Sequence, residues 1–141
     1  MNTEHEKDLP VVAKVKLTIC TEDRFFGPGV CELLEKIRET GSIQAAAARM
    51  ELSYTKAWKI LNRAEKELGT NLISRVSGGR NGGSSTLTEA GDRTVKAFRE
   101  IETEVSSFAN DLLKAHYSAF RPEPQRGQAG GSAPESEGQS D

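Results

Sequence analysis

Residues 42–69 read SIQAAAARMELSYTKAWKILNRAEKELG, and this stretch decides the fold. Ser42 and Ser53 each stand directly before a run of helix-forming residues, where a side-chain oxygen can take up a free backbone N–H at a helix start. Gly69 stands where a helix ends in left-handed backbone. The expected elements are a short helix over 43–50, a tight turn at Glu51-Leu52 and a further helix over 54–68. The short helix contains Ala45 to Ala48, a run with high helix propensity and almost no side-chain bulk. Two helices that cross steeply must approach closely. Ala46 and Ala47 permit that approach, and Leu52 plugs the turn. The pattern reads as a helix-turn-helix.

Upstream, Val30, Leu33, Leu34 and Ile37 form one apolar stripe, which predicts a helix over 30–39 ended by Gly41. Residues 11–19 alternate, with Ala13, Val15, Leu17 and Ile19 on one side, which predicts a half-buried strand. Residues 21–24 read as a turn and Phe25-Phe26 as a short returning strand, broken by Gly27-Pro28-Gly29. Downstream, residues 71–76 and 85–87 read as strands around a glycine-rich tip, Gly78 to Gly83, a hairpin placed as a wing. Thr88 is positioned to cap a long helix from Glu89 to about Ala119, with Pro122 just beyond. The fold class expected is mainly α with a small β component: a winged helix-turn-helix with an N-terminal strand pair and a long C-terminal dimerisation helix. Residues 10–120 make up that domain, and residues 1–9 and 121–141 are too polar to offset their ordering entropy and are expected to be disordered.

Net charge is −2 over 141 residues, but its distribution is uneven. Between Ser42 and Arg80 stand seven basic residues (Arg49, Lys56, Lys59, Arg63, Lys66, Arg75, Arg80) and three acids (Glu51, Glu65, Glu67). Basic charge gathered on one segment is the footprint of a nucleic-acid binder. On the 54–68 helix, Ala57, Trp58, Leu61, Ala64 and Leu68 share the side expected to be buried. Thr55, Lys56, Lys59, Asn62, Arg63 and Lys66 share the other. A recognition helix aims its N-terminal residues at base edges and sets cations against phosphates. Ser53, Thr55, Lys56 and Lys59 are therefore assigned to the major groove, and Arg63 to phosphate. Tyr54 either packs inward or meets a phosphate. Arg75 on the wing strand and Arg80 at its tip are placed to enter a minor groove or bind phosphate.

The last helix carries a second message. Phe98, Ile101, Val105, Phe108, Leu112 and Ala115 step by three and four residues, an a/d seam whose first turns are expected to pack on this domain and whose portion after Val105, too long for so small a core to cover, predicts pairing with the same helix of a second copy. Such a homodimer would set two recognition helices on successive major grooves, about 34 Å apart.

Other classes find little support. No apolar run approaches the roughly 20 residues of a membrane span, and no basic-then-apolar leader opens the chain, so a cytoplasmic protein is expected. Cys20 and Cys31 lie too far apart for a metal knuckle and read as buried or partly buried structural thiols in a reducing compartment. Gly78 and Gly83 have the spacing of a phosphate loop, but Ser84 stands where its lysine is required. No Ser, Cys and His combination has catalytic context, so no enzyme, metal or cofactor is expected.

The stretches Phe26-Gly27-Pro28-Gly29, Leu33-Leu34, Gly41-Ser42-Ile43, Ala46-Ala47, Ser53-Tyr54 with Ala57-Trp58, Gly78-Gly79, Gly82-Gly83 and Leu87-Thr88-Glu89-Ala90-Gly91 carry a resemblance. Together they resemble the N-terminal DNA-binding domain of the molybdate-dependent ModE regulators, itself similar to the LysR-type winged helix. The resemblance covers about residues 11–115. It implies a sequence-specific, homodimeric regulator of transcription acting on molybdenum-related genes. It also implies a recognition helix from Ser53 to Arg63 and a wing bearing Arg75 and Arg80. Nothing after Phe120 reads as folded, so the molybdate-binding domains of that family are not expected and neither is molybdate binding by this chain. The alternatives to a specific regulator are a sequence-independent architectural DNA-binding protein and an interaction module that uses only the last helix.

Overall fold

The computed structural model describes residues 11–76 and 83–120, which fall into two units: residues 14–107, and a smaller one joining the chain up to Ala13 to the chain from Phe108 onward. The wing tip with Arg80 and both tails lie outside the described residues. In the larger unit, β1 (Ile19–Cys20) pairs antiparallel with β2 (Arg24–Phe26), Ile19 facing Phe26 and Cys20 facing Arg24. The strand expected over 11–19 thus shrinks to two residues. Alternation lets a chain run extended, but a strand also needs a neighbour for its N–H and C=O groups, and β2 offers only three residues.

Helix α1 (Pro28–Thr40) starts two residues before the expected Val30. Proline has no N–H to lose and a φ already suited to the first helical position, so the Gly-Pro-Gly break is also the helix start. Gly41, at φ 76°, ends α1 and donates its N–H to the Ile37 carbonyl at 2.8 Å. Helix α2 (Ile43–Arg49) and helix α3 (Tyr54–Leu68) are both capped as the sequence predicts. Ala45 N–H donates to Ser42 Oγ and Lys56 N–H to Ser53 Oγ, each at 3.0 Å. Between the two helices, the Ala47 carbonyl accepts from Met50 and Leu52 at 3.0 and 2.9 Å, and Glu51 takes a left-handed φ of 59°.

One core ties these helices together. Leu33, Leu34 and Ile37 of α1, Ala46 and Ala47 of α2, and Ala57, Leu61 and Ala64 of α3 are all buried. Strands β3 (Ile73–Val76) and β4 (Ser84–Leu87) pair antiparallel, Ile73 opposite Leu87 and Val76 opposite Ser84, which makes the hairpin of the wing. Thr88 then caps α4 (Glu89–Ala115), its Oγ1 accepting from Gly91 N–H at 2.9 Å. Gly91 is obligatory for packing: a Cβ there would collide with the Leu72 carbonyl oxygen. Helix α4 stops at Ala115, short of the expected Ala119, and a tighter turn follows over Tyr117–Ala119.

Phe98 corrects the seam drawn from the sequence. It is only 3% exposed and its ring lies 5.2 Å from that of Phe26, so it belongs to this chain's own core. The free apolar positions of α4 begin at Ile101. In the smaller unit, the Asn110 side-chain amide imitates a strand neighbour: Ala13 N–H donates to Oδ1 at 2.9 Å and Nδ2 donates to the Ala13 carbonyl at 3.0 Å. Cys31 is buried, whereas Cys20, expected at least partly buried, is exposed because Ile19 takes the inward position of β1. Among the described residues no helix is long and apolar enough to cross a membrane.

Candidate nucleic-acid interface

Helix α3 divides into two faces, as its sequence predicts. Ala57, Leu61 and Ala64 are fully covered, while Thr55, Lys56, Lys59, Asn62, Arg63 and Lys66 are exposed. Leu68, expected inside, is 39% exposed at the helix end. Lys56, Lys59 and Lys66 make no ion pair among the described residues. Each therefore keeps a hydrated ammonium on a flexible stem, a suitable partner for a phosphate or for the edge of a guanine. Ser53 spends one lone pair on the Lys56 N–H and keeps its own O–H as a donor. That hydroxyl stands at the N-terminus of α3, where the helix dipole favours an anion.

The second half of α3 is laced to the turn between β1 and β2. Arg63 lies 3.9 Å from the Asp23 carboxylate and 3.7 Å from that of Glu67, and Thr21 Oγ1 donates to Glu67 at 2.9 Å. Ion pairs this long and this exposed contribute little, so Arg63 can exchange them for a phosphate at small cost.

The wing is fastened to the helices at three points. Glu65 Oε2 accepts from Leu72 N–H at 2.8 Å and from Ile73 N–H at 3.1 Å, which anchors the start of β3 to α3. Ser85 N–H donates to the Gly41 carbonyl at 2.9 Å, which anchors β4 to the end of α1. Arg75 of β3 lays its guanidinium over the Trp58 ring, 4.3 Å from its centre. Tyr54 meets the same ring edge-on at 6.2 Å and 83° and is itself half exposed, so it packs on Trp58 and stays reachable from solvent. A cation over an aromatic face is worth about 0.5–1 kcal/mol at an exposed site, enough to orient a side chain and too little to remove it from service.

Of the eight residues assigned to DNA from the sequence, the structure brings Tyr54 and Arg75 together on Trp58. It places Thr55, Lys56, Lys59 and Arg63 on one exposed face, with Ser53 at its start. Arg80 lies outside the described residues. Two positioning residues escaped the sequence reading. Glu65 shows in the sequence only as an acid in a basic stretch, and Trp58 packs against the core as expected but also carries Arg75 over its ring.

Residues 30–92 match the family described as bacterial regulatory helix-turn-helix protein, lysR family. The chain is 41% identical over 80 residues to the molybdenum transport protein ModE of Azotobacter vinelandii, covering 57% of this chain and 30% of that protein. It is 33% identical over 103 residues to the transcriptional regulator ModE of Yersinia pestis, covering 72% of this chain and 39% of that protein. Among solved structures, the complex of the CbnR DNA-binding domain with DNA aligns with a TM-score of 0.48 and 25% identity, over 63% of this chain and 95% of that one. The chain thus matches between 30% and 39% of the length of these two curated relatives.

Proposed function

Since residues 30–92 form a LysR-type helix-turn-helix domain similar to that of the ModE regulators, we propose that this protein regulates transcription by binding a specific duplex DNA sequence as a homodimer. The observation that carries the reading is the split of α3: a basic face exposed to solvent, backed by a face sunk in the core. Thr55 and Lys56, with Lys59 one turn on, read base edges in the major groove. Ser53 joins them at the groove, Tyr54 and Arg63 hold phosphates, and Arg75 and Arg80 bring the wing to the neighbouring groove. The protein acts in the cytoplasm on chromosomal DNA, has no catalytic role, and controls genes of molybdenum metabolism, an extension supported by its likeness to ModE.

The dimer contact is assigned to α4. Ile101, Phe108 and Leu112 are 44%, 64% and 47% exposed, with Val105 half-buried among them, an apolar row that water covers poorly. A partner α4 would bury it.

The test is genome-wide mapping of bound sites, followed by binding of one such site and of random duplex by fluorescence anisotropy. A specific regulator gives symmetric half-sites and an affinity ratio of at least about a thousandfold. A ratio near one would make the protein an architectural binder. Lys56→Ala is expected to weaken the cognate site more than random DNA, and equal losses would move Lys56 to phosphate. If Lys56→Ala leaves regulation intact while Val105→Asp abolishes it, the interaction-module reading replaces this one.

A further inference from the structure

Beside α3 lies a groove of about 390 Å³, of whose lining the DNA-binding reading uses only Arg63. Its floor is apolar: Phe25 and Phe26 of β2, Val30 of α1, Met50 and Leu52 of the turn, and Ile60 of α3. Three cations, Lys16, Arg24 and Arg63, stand around it, and among the described residues no carboxylate lines it. The volume falls within the range of small-ligand sites, about 300–1,000 Å³.

We propose that this groove binds a small amphipathic carboxylate, an acid with an aryl or alkyl body, and that its occupancy weakens DNA binding. Two features select that chemistry together. An inorganic oxyanion would gain from the cations and waste the floor, and a neutral apolar compound would gain from the floor and leave the cations unused. An acid with an apolar body satisfies both. Lys16 and Arg24 are exposed, and Arg63 is held only by its long contacts to Asp23 and Glu67, so none of the three must surrender a tight partner.

The effect on DNA rests on the function proposed above; the binding itself does not. Arg63 faces both the groove and the basic side of α3, so a bound carboxylate competes with phosphate for it. Met50 and Leu52 belong to the turn whose backbone sets α2 against α3, so an apolar body lodged on them bears on the seating of the reading helix.

The full-length chain, isotope-labelled at methyl groups, is titrated with 3-phenylpropionate and, separately, with 3-phenylpropan-1-ol, which keeps the body and lacks the charge. The proposal expects saturable shifts in the millimolar range confined to Val30, Met50, Leu52 and Ile60, with the alcohol bound about tenfold more weakly. In the Lys16→Gln/Arg24→Gln variant, whose changes are at exposed positions, the acid should fall toward the alcohol. Shifts that never saturate, equal affinity for acid and alcohol, or an acid affinity untouched by the double variant would each overturn the site. A saturated groove with unchanged affinity for random duplex would overturn the coupling and retain the site. Loss of all DNA binding in the ligand-free protein would strike the regulatory reading instead.

Discussion

Replacing Glu65 with alanine should detach the wing from the reading helix without touching any residue assigned to DNA. One carboxylate oxygen accepts two backbone N–H groups, from Leu72 at 2.8 Å and Ile73 at 3.1 Å, and both residues are buried. Hydrogen bonds to a charged acceptor contribute about 1.5–3 kcal/mol each. Here one oxygen is shared and the glutamate is half-buried, so water recovers part of the loss; the net cost is about 2 kcal/mol. For a domain of roughly 100 residues that lowers Tm by about 10 °C. Glu65→Gln keeps an oxygen at the same place but not its charge, and a neutral bond has about half the strength, so about 5 °C is expected. Thermal unfolding measures the total, and amide hydrogen exchange assigns it: the Leu72 and Ile73 amides should lose protection before the rest of the core. DNA affinity should also fall, although the substitution removes a negative charge from a basic helix and simple electrostatics predicts a rise. A Glu65→Ala protein that melts within about 2 °C of the parent, with both amides still protected, would refute the reasoning.

Three further outcomes follow from the packing and the ionisable groups. Gly91→Ala forces a methyl onto the Leu72 carbonyl at the first turn of α4 and should cost about 1–3 kcal/mol in chemical denaturation, more than alanine at exposed Lys96 of the same helix. Glu35 is gripped by the Arg99 guanidinium through two bonds of 3.0 and 2.8 Å, which holds its carboxyl below the ordinary 4.5. That stability is present above 4.5 and is lost as pH falls through the lower folded value, so the stability advantage of the parent over Glu35→Gln in urea unfolding monitored by circular dichroism should be full above 4.5 and shrink toward zero as the pH falls below it. Burial pushes the Cys31 thiol from 9.0 up to about 11. Its protonated form stabilises the fold below 9.0, and this contribution fades as pH rises toward 11 because the unfolded thiol ionises first. Iodoacetamide near neutral pH should therefore label Cys20 in the native protein and Cys31 only on unfolding, as read by peptide mass spectrometry.

What the sequence made legible was whatever local chemistry decides. The bounds of α3 were readable at both ends because Ser53 and Gly69 act within one helical turn of themselves. The basic face was readable because charges at three- and four-residue spacing must share a side. What escaped depended on distant partners. The apolar row on α4 told that something covers it, but not that Phe26 covers Phe98 while Ile101 and Phe108 stay bare. Residues 11–19 alternated correctly for a strand whose neighbour proved too short to pair beyond Ile19–Cys20. Glu65 and Trp58 gave no sign of their roles, since Leu72, Ile73 and Arg75 reach them only once the chain has turned back from the helix.

The bond between Ser85 N–H and the Gly41 carbonyl has a kinetic consequence. The three helices of the core meet over short stretches of chain, so they can assemble early in refolding, whereas this bond closes a loop that contains two whole helices and a strand. Contacts so distant in sequence are the slow ones to form. A newly made chain therefore owns α3 before its hairpin is seated, and the fixed angle between the two is the last thing the molecule acquires.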